Sequence, residues 1–559
     1  MTPKTLLGEG FLKVNVHVTT LLDNSSPRNS ELIMRRFMGV CALVLAVLSA
    51  SPAAAEWRRA ESERFIVYSQ TNEGVLRAYV QKLERYDLFL RQRMGLSVNT
   101  PPLTKLQVFL VSGREGLQQV APRISDGTIG VYFSTAEGIF AVAIRDSDDD
   151  TLLHEYAHHF MFQNLTRPYP AWLVEGFAEY FMTADIDADS IIIGGYNRNR
   201  VAWLQDVSWI PLPELLSSRP GEIRRGPHQN TYYPLAWLLT HWFMGDAGRS
   251  AKLETYIADI EAGGDPVEAM QRATGLTIPQ LRAALREYFN GRIPQTRYTF
   301  DFASASMTIT TLPPSADDML LIAQRLKIGV PQDRREATAA EVRRRASRHP
   351  GDPFAQLQLG HAELHFGDAE AGEGILTSLL ESEPDNVEAL QLLSTRYLSL
   401  AREEGEDRRA RLVQARDLLA RAFAADDADF RTFMLLGELR SGASTYPTEN
   451  DLQAWSNAHA LAPQLAQTTL GYAGALMLAG QAERAVSLLQ PLANAPHGGP
   501  ASEAATTMLD RARSNQAPLS EGEIDAAAQA EVEEEGEGEP VAPPAPTGPG
   551  ETPPETPPA

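Results

Sequence analysis

Cysteine is almost absent from this chain: a single thiol, Cys41, stands among 559 residues. If the segment up to Ala55 is removed, as argued below, the mature chain has none. That excludes disulfides, thiolate nucleophiles and thiolate metal ligands. Long apolar runs are missing too. The run near the start, from about Phe37 to Leu48, falls short of the roughly 20 residues a membrane span needs. Positive charge is scarce: 50 Lys and Arg face 72 Asp and Glu, a formal net charge of −22. Nucleic-acid phosphates call for Lys/Arg-rich surfaces, so no nucleic-acid partner is expected. Half of the excess lies after Arg513, where eleven acidic residues occur without one Lys or Arg, so the rest of the chain is only moderately acidic.

What is present divides the chain into five parts. Arg35 and Arg36, the short apolar run and Ala53-Ala54-Ala55 read as a secretory signal peptide over 34–55. Such leaders begin at the initiator, so Met34 is the expected start and residues 1–33 are expected to be untranslated. An exported, cysteine-free product fits the periplasm or cell envelope of a bacterium, with no stable membrane span once the leader is cleaved. Residues 56–300 form the next part. "RFIVYSQ" and "LQVFLV" are strand-like, "GVLRAYVQKLERYDLFLRQRM" has helical spacing, and "GTIGVYFSTAEGIFAVAI" reads as two strands around Ala136-Glu137-Gly138. Residues 301–350, which include "ASASMTITTLPPSADD", look like a linker and helical connector. In 351–500, Leu359-Gly360 is followed by Pro384 and Leu436-Gly437 by Pro463, at spacings of 24 and 26 residues. Tyr397, Ala415, Ala458 and Ala485 fall near the small or aromatic positions of repeating helix pairs. The Pro/Glu-rich stretch 501–559 is expected to be a disordered acidic tail.

One segment carries chemistry: "LLHEYAHHFMFQNLTRPYPAWLVEGFAEYF", residues 152–181. On a helix, His154 and His158 lie about 40° apart and one turn apart along the axis, so both imidazoles can meet one ion at about 2.0–2.1 Å. Glu155 projects beside that face, within reach of a metal-bound water without binding the metal. His159 points elsewhere and is not expected to be a ligand. "RPYP" reverses the chain, so the following helix can pack back and offer Glu175 as third ligand, which leaves a corner open for water. Glu179, four residues on, shares its face and is placed to orient one histidine.

These residues resemble the gluzincin clan of zinc metallopeptidases, which includes thermolysin and the alanyl-type aminopeptidases. "WLVEGFAEYF" is similar to the W-L-N-E-G-F-A stretch of the latter. The resemblance implies an α+β zincin-like domain, a small mixed sheet plus active-site helices, holding one Zn2+ per chain. It gives His154, His158 and Glu175 as ligands, Glu155 as general base and Glu179 as the carboxylate behind the histidine. Departures from the aminopeptidases are clear: Val174 replaces their asparagine, the His158–Glu175 spacing is shorter by two, and no G-A-M-E-N segment occurs. A bacterial group of peptidase-like domains is nearer, sharing a "YFSTAEG"-like hairpin and a Y-x-x-x-W-x-x-x-H stretch matched by Tyr233, Trp237 and His241. Tyr233 is the first candidate to stabilise the oxyanion, with Tyr232 second and His228 third. The repeat region resembles the tetratricopeptide repeat (TPR), an all-α solenoid of about four degenerate units with an insertion near "AREEGEDRRARLV".

The expectation is therefore an exported zinc endopeptidase that acts on a peptide or protein substrate, with repeats that recruit substrate or a protein partner. The alternative is a catalytically inactive peptidase-fold scaffold acting through its repeats in the cell envelope. A metal-free histidine pair is a third reading, and it would bury several titratable groups with nothing to compensate them.

Overall fold

The computed structural model describes residues 56–125, 128–145, 150–165, 167–206, 208–223, 226–403, 407–495 and 498–535. Residues 1–55, where a leader is expected, and those beyond 535 lie outside the described residues.

Five segments open the fold: β1 (Arg58–Glu61), β2 (Phe65–Ser69), α1 (Glu73–Arg93), β3 (Leu106–Val111) and α2 (Arg114–Val120). The hairpin β4 (Gly130–Thr135) and β5 (Gly138–Ile144) follows, its turn at Ala136-Glu137. With β9 (Thr308–Thr311), these strands form a mixed sheet in the order β4-β5-β3-β2-β1-β9. Pairing is parallel for β2–β3 and β3–β5 and antiparallel elsewhere. Side chains alternate across a strand, and the two faces show it. Leu106, Val108, Leu110, Ile139 and Ala141 enter one core, with α1 and the two helices of the histidine segment. Phe109, Val111, Phe140 and Val142 enter another, with α2 and Leu320.

The helices of the site come next: α3 (Asp150–Asn164), α4 (Ala171–Phe181), α5 (Arg198–Asp206), α6 (Leu212–Ser217) and α7 (Pro227–Met244). Beyond them lie α8 (Ala247–Glu261), α9 (Pro266–Thr274) and α10 (Ile278–Asn290). A second sheet joins β6 (Asp185–Ile186), β7 (Ser190–Ile193) and β8 (Thr296–Thr299).

The expected linker differs from what is found. Its "TITT" is β9, which pairs with β1 from Arg58↔Thr311 to Glu61↔Thr308 and so ends the sheet. The helix after it, α11 (Ala316–Ile328), covers the sheet's second face. A helix pair beyond the first domain begins only with α12 (Arg335–Ala346) and α13 (Pro353–Phe366).

The repeats continue as α14 (Ala369–Ser382), α15 (Val387–Arg402), α16 (Arg408–Ala425), α17 (Phe430–Glu438), α18 (Glu449–Leu461), α19 (Ala466–Leu478) and α20 (Ala482–Ala493). First helices begin at Pro353, Val387, Phe430 and Ala466, spacings of 34, 43 and 36 residues, with the long one at the expected insertion. Glycine lets these helices touch. A Cβ on Gly437 would lie 2.6 Å from the Trp455 ring and one on Gly471 2.3 Å from it, so the indole fills the space between α17 and α19. Helices also run past residue 501, where disorder was expected: α21 (Gly499–Arg513) and α22 (Glu521–Glu535). Ile524, Ala528 and Val532 form a buried stripe along α22. The last repeats return to the first domain. Thr104 Oγ1 donates to the Leu461 carbonyl at 2.8 Å, Ser134 Oγ to that of Gln464 at 3.3 Å, and Arg219 to that of Ala493. No helix among the described residues is long and apolar enough to cross a membrane.

Candidate metal centre

Two prolines turn the chain between α3 and α4. Pro168 and Pro170 restrict the residues before them to extended backbone, and Arg167 is tied to Glu254 at 2.9 Å and Glu261 at 3.1 Å. Helix α4 then packs between α3 and α7. Trp172 Nε1 donates to Tyr256 Oη at 3.1 Å, and Gly176 meets α7 where no side chain would fit. Helix α3 is held from behind: Tyr156 donates to Asp87 at 2.7 Å, and Asp87 is bound by Arg64 at 2.6 Å and Arg91 at 2.7 Å. Burial, reinforced by Asp87, pushes the Tyr156 hydroxyl well above its ordinary range, so it remains a donor.

This framework brings His154, His158 and Glu175 together, all buried, with Glu175 fully so. His154 Nε2 and His158 Nε2 are 3.0 Å apart, and Glu175 Oε2 is 3.7 and 3.5 Å from them. A tetrahedral ion with bonds of about 2.0–2.1 Å needs ligand atoms about 3.4 Å apart. A triangle with these three edges has a point about 2.0 Å from every corner. The donor set, two imidazoles and one carboxylate without a thiolate, suits zinc. The residues present fit the group.

Glu179 Oε1 lies 3.5 Å from His154 Nδ1, the nitrogen away from the triad, and 3.1 Å from Arg200 Nε. Arg200 in turn covers the Tyr233 ring, 4.7 Å from its centre. A continuous line of contacts therefore runs from His154 to Tyr233, the first candidate oxyanion donor. His159, adjacent to the motif, is 3.0 Å from the Tyr132 hydroxyl, and burial lowers its pKa to about 3.

Glu155, His158 and Tyr233 face a cavity of about 1940 Å³. One wall is β4, the edge strand of the sheet, through Gly130, Tyr132 and Ser134. Another is made by the repeats, through His459, Gln464, Tyr472 and Arg484. The second and third oxyanion candidates are placed differently. Tyr232 is fully buried and donates to the Ser218 carbonyl at 3.0 Å. His228 is half-buried, 3.4 Å from Glu214. Neither lines the cavity. Trp237 and His241 brace the loop before α5: Trp237 Nε1 donates to the Gly195 carbonyl at 3.1 Å, and His241 Nε2 is 3.2 Å from that of Gly194.

Sequence reasoning missed Arg200, Asp87 and the cavity face of the repeats. Nothing in "YNRNR" marks one arginine as the partner of Glu179.

No family model matches the chain, and no curated protein matches it. Among solved structures it is similar to TTC0263, a thermophilic TPR protein of Thermus thermophilus, at 19% identity and TM-score 0.30, over 36% of this chain and 98% of that one. It is also similar to MamA MSR-1, at 18% identity and TM-score 0.22, over 28% and 86%. The helix pairs described above define the repeat region.

Proposed function

We propose that this chain is an exported zinc-dependent peptidase whose TPR-like repeats help to hold a polypeptide substrate or protein partner. The observation that carries the reading is the near-equilateral His154–His158–Glu175 triad, with Glu155 and Tyr233 facing the same cavity. These three residues would hold Zn2+, which supplies Lewis acidity toward a carbonyl oxygen and makes water more acidic. Glu155 takes the proton of the attacking water and passes it to the leaving amine nitrogen. Tyr233 donates a hydrogen bond to the oxyanion as the carbonyl carbon becomes tetrahedral. Glu179, held by Arg200, fixes the ring orientation of His154. Strand β4 runs along the cavity at the sheet edge, from which an extended peptide adds by strand pairing. Secretion by the leader would place this activity in a bacterial periplasm or cell envelope.

Digestion of casein and a peptide library by wild type and Glu155→Gln tests the reading. The variant is expected to keep its zinc and lose turnover by roughly 10²–10⁴-fold. Undiminished hydrolysis by the variant would overturn the base assignment. A wild type that holds zinc yet cleaves neither substrate would favour the inactive scaffold.

A further inference from the structure

A second group of metal-ligating side chains lies where the first domain meets the repeats. Glu137 sits in the turn of the β4–β5 hairpin. His361 and His365 are one turn apart on α13, with ring centres 5.3 Å apart. One ligand atom from each of the three lies within 4.8 Å of the other two. His361 is fully buried. Glu137 Oε2 is 3.2 Å from His361 Nε2, but the contact is not aligned as a hydrogen bond. Both His361 nitrogens, His365 Nε2 and Glu137 Oε2 are buried atoms without a hydrogen-bond partner among the described residues. Protein interiors rarely leave four such atoms together unsatisfied.

We propose that Glu137, His361 and His365 form a second divalent-cation site, of zinc type, which fastens the hairpin tip to repeat helix α13. Two imidazoles and one carboxylate, with no thiolate, match zinc and disfavour Mg2+ or Ca2+, which take oxygen ligands. The other carboxylate oxygen, Oε1, is 3.3 Å from Arg431 Nη2, which turns Oε2 toward the imidazoles. Lys327, the other nearby cation, is taken up by Glu388 at 3.3 Å.

The site is separate from the first. None of its three residues lines the cavity, and none belongs to the His154 triad. Its effect reaches the cavity through β4, which forms one wall and ends in the turn that carries Glu137. A cation there would fix that wall against the repeats, a structural role that needs no catalysis.

The test is zinc content by mass spectrometry of the full chain, after chelation and dialysis against buffered zinc. Wild type is expected to bind two equivalents, His154→Ala/His158→Ala one, His361→Ala/His365→Ala one, and the fourfold variant none. The His154→Ala/His158→Ala protein leaves the new site untouched, so it remains informative if the other double variant does not fold. Zero equivalents in it would overturn the second site. A single equivalent in wild type that survives His361→Ala/His365→Ala would do the same and leave the catalytic reading standing. One equivalent that survives His154→Ala/His158→Ala but vanishes with His361→Ala/His365→Ala would support the second site and sink the first.

Discussion

Replacing Gly176 by alanine isolates the contact that positions Glu175, the proposed third ligand. A Cβ there would lie 2.2 Å from Thr240 Oγ1 and 2.6 Å from the Ala236 carbonyl oxygen, both on α7. The hydroxyl can rotate away, but the carbonyl belongs to the α7 backbone, so the helices must separate by roughly 1 Å to restore van der Waals distance. Overpacking of this kind costs about 1–3 kcal/mol, and a backbone neighbour places it near the upper end. The better helix propensity of alanine returns about 1 kcal/mol. A net loss of about 2 kcal/mol is expected. Glu175 is the adjacent residue, so the same displacement spoils the triad, and zinc affinity should fall by roughly 10–100-fold, as when ligand support is lost. Trp172 and Phe243 face each other across this interface with ring centres 6.4 Å apart, so tryptophan fluorescence during chemical denaturation reports on it. Thr240→Ala in the Gly176→Ala background should restore only part of the loss, because Ala236 remains. A Gly176→Ala protein as stable as wild type, with unchanged zinc affinity, would refute the close approach of α4 to α7.

Three further variants give distinct outcomes. Tyr233→Phe should retain zinc and lower turnover by roughly 10²-fold. Tyr232→Phe should leave turnover intact and cost about 1 kcal/mol of stability through the hydrogen bond to Ser218; an exchange of these two effects would transfer the oxyanion role. Glu438 on α17 is pushed up to about 8 by burial and then by Glu521 and Asp525 of α22, against Arg402. The folded state therefore keeps a proton that the unfolded chain releases near its ordinary value of 4.5. The resulting stability is complete below that value and is lost as pH rises toward about 8. Glu438→Gln should flatten this dependence and raise stability at pH 8.5 by at most about 4–5 kcal/mol. Thermal melts of the two proteins that shift in parallel between pH 5.5 and 8.5 would contradict it.

The parts legible in the sequence were those written locally. The i, i+4 spacing of His154 and His158 is a helical rule, and "RPYP" announces the turn that returns Glu175. The hairpin around Ala136-Glu137 and the Leu-Gly pairs of the repeats are local as well. Contacts between distant segments were not legible. Strand β9 is four short polar or β-branched residues amid Ser and Pro, and only β1 makes it a strand. Helix α22 was hidden by its composition: acidic residues and alanines suggested disorder, while Ile524, Ala528 and Val532, four apart, supply a buried stripe once the solenoid is there to receive it. "HAELH" repeats the spacing of the first histidine pair, but its carboxylate partner lies far upstream, in the hairpin turn.

Zinc-edge anomalous diffraction from crystals of the zinc-loaded chain addresses the central claim most directly. The account predicts a peak within bonding distance, about 2 Å, of His154 Nε2, His158 Nε2 and Glu175 Oε2. A map with no peak there, from protein shown to contain zinc, would contradict it.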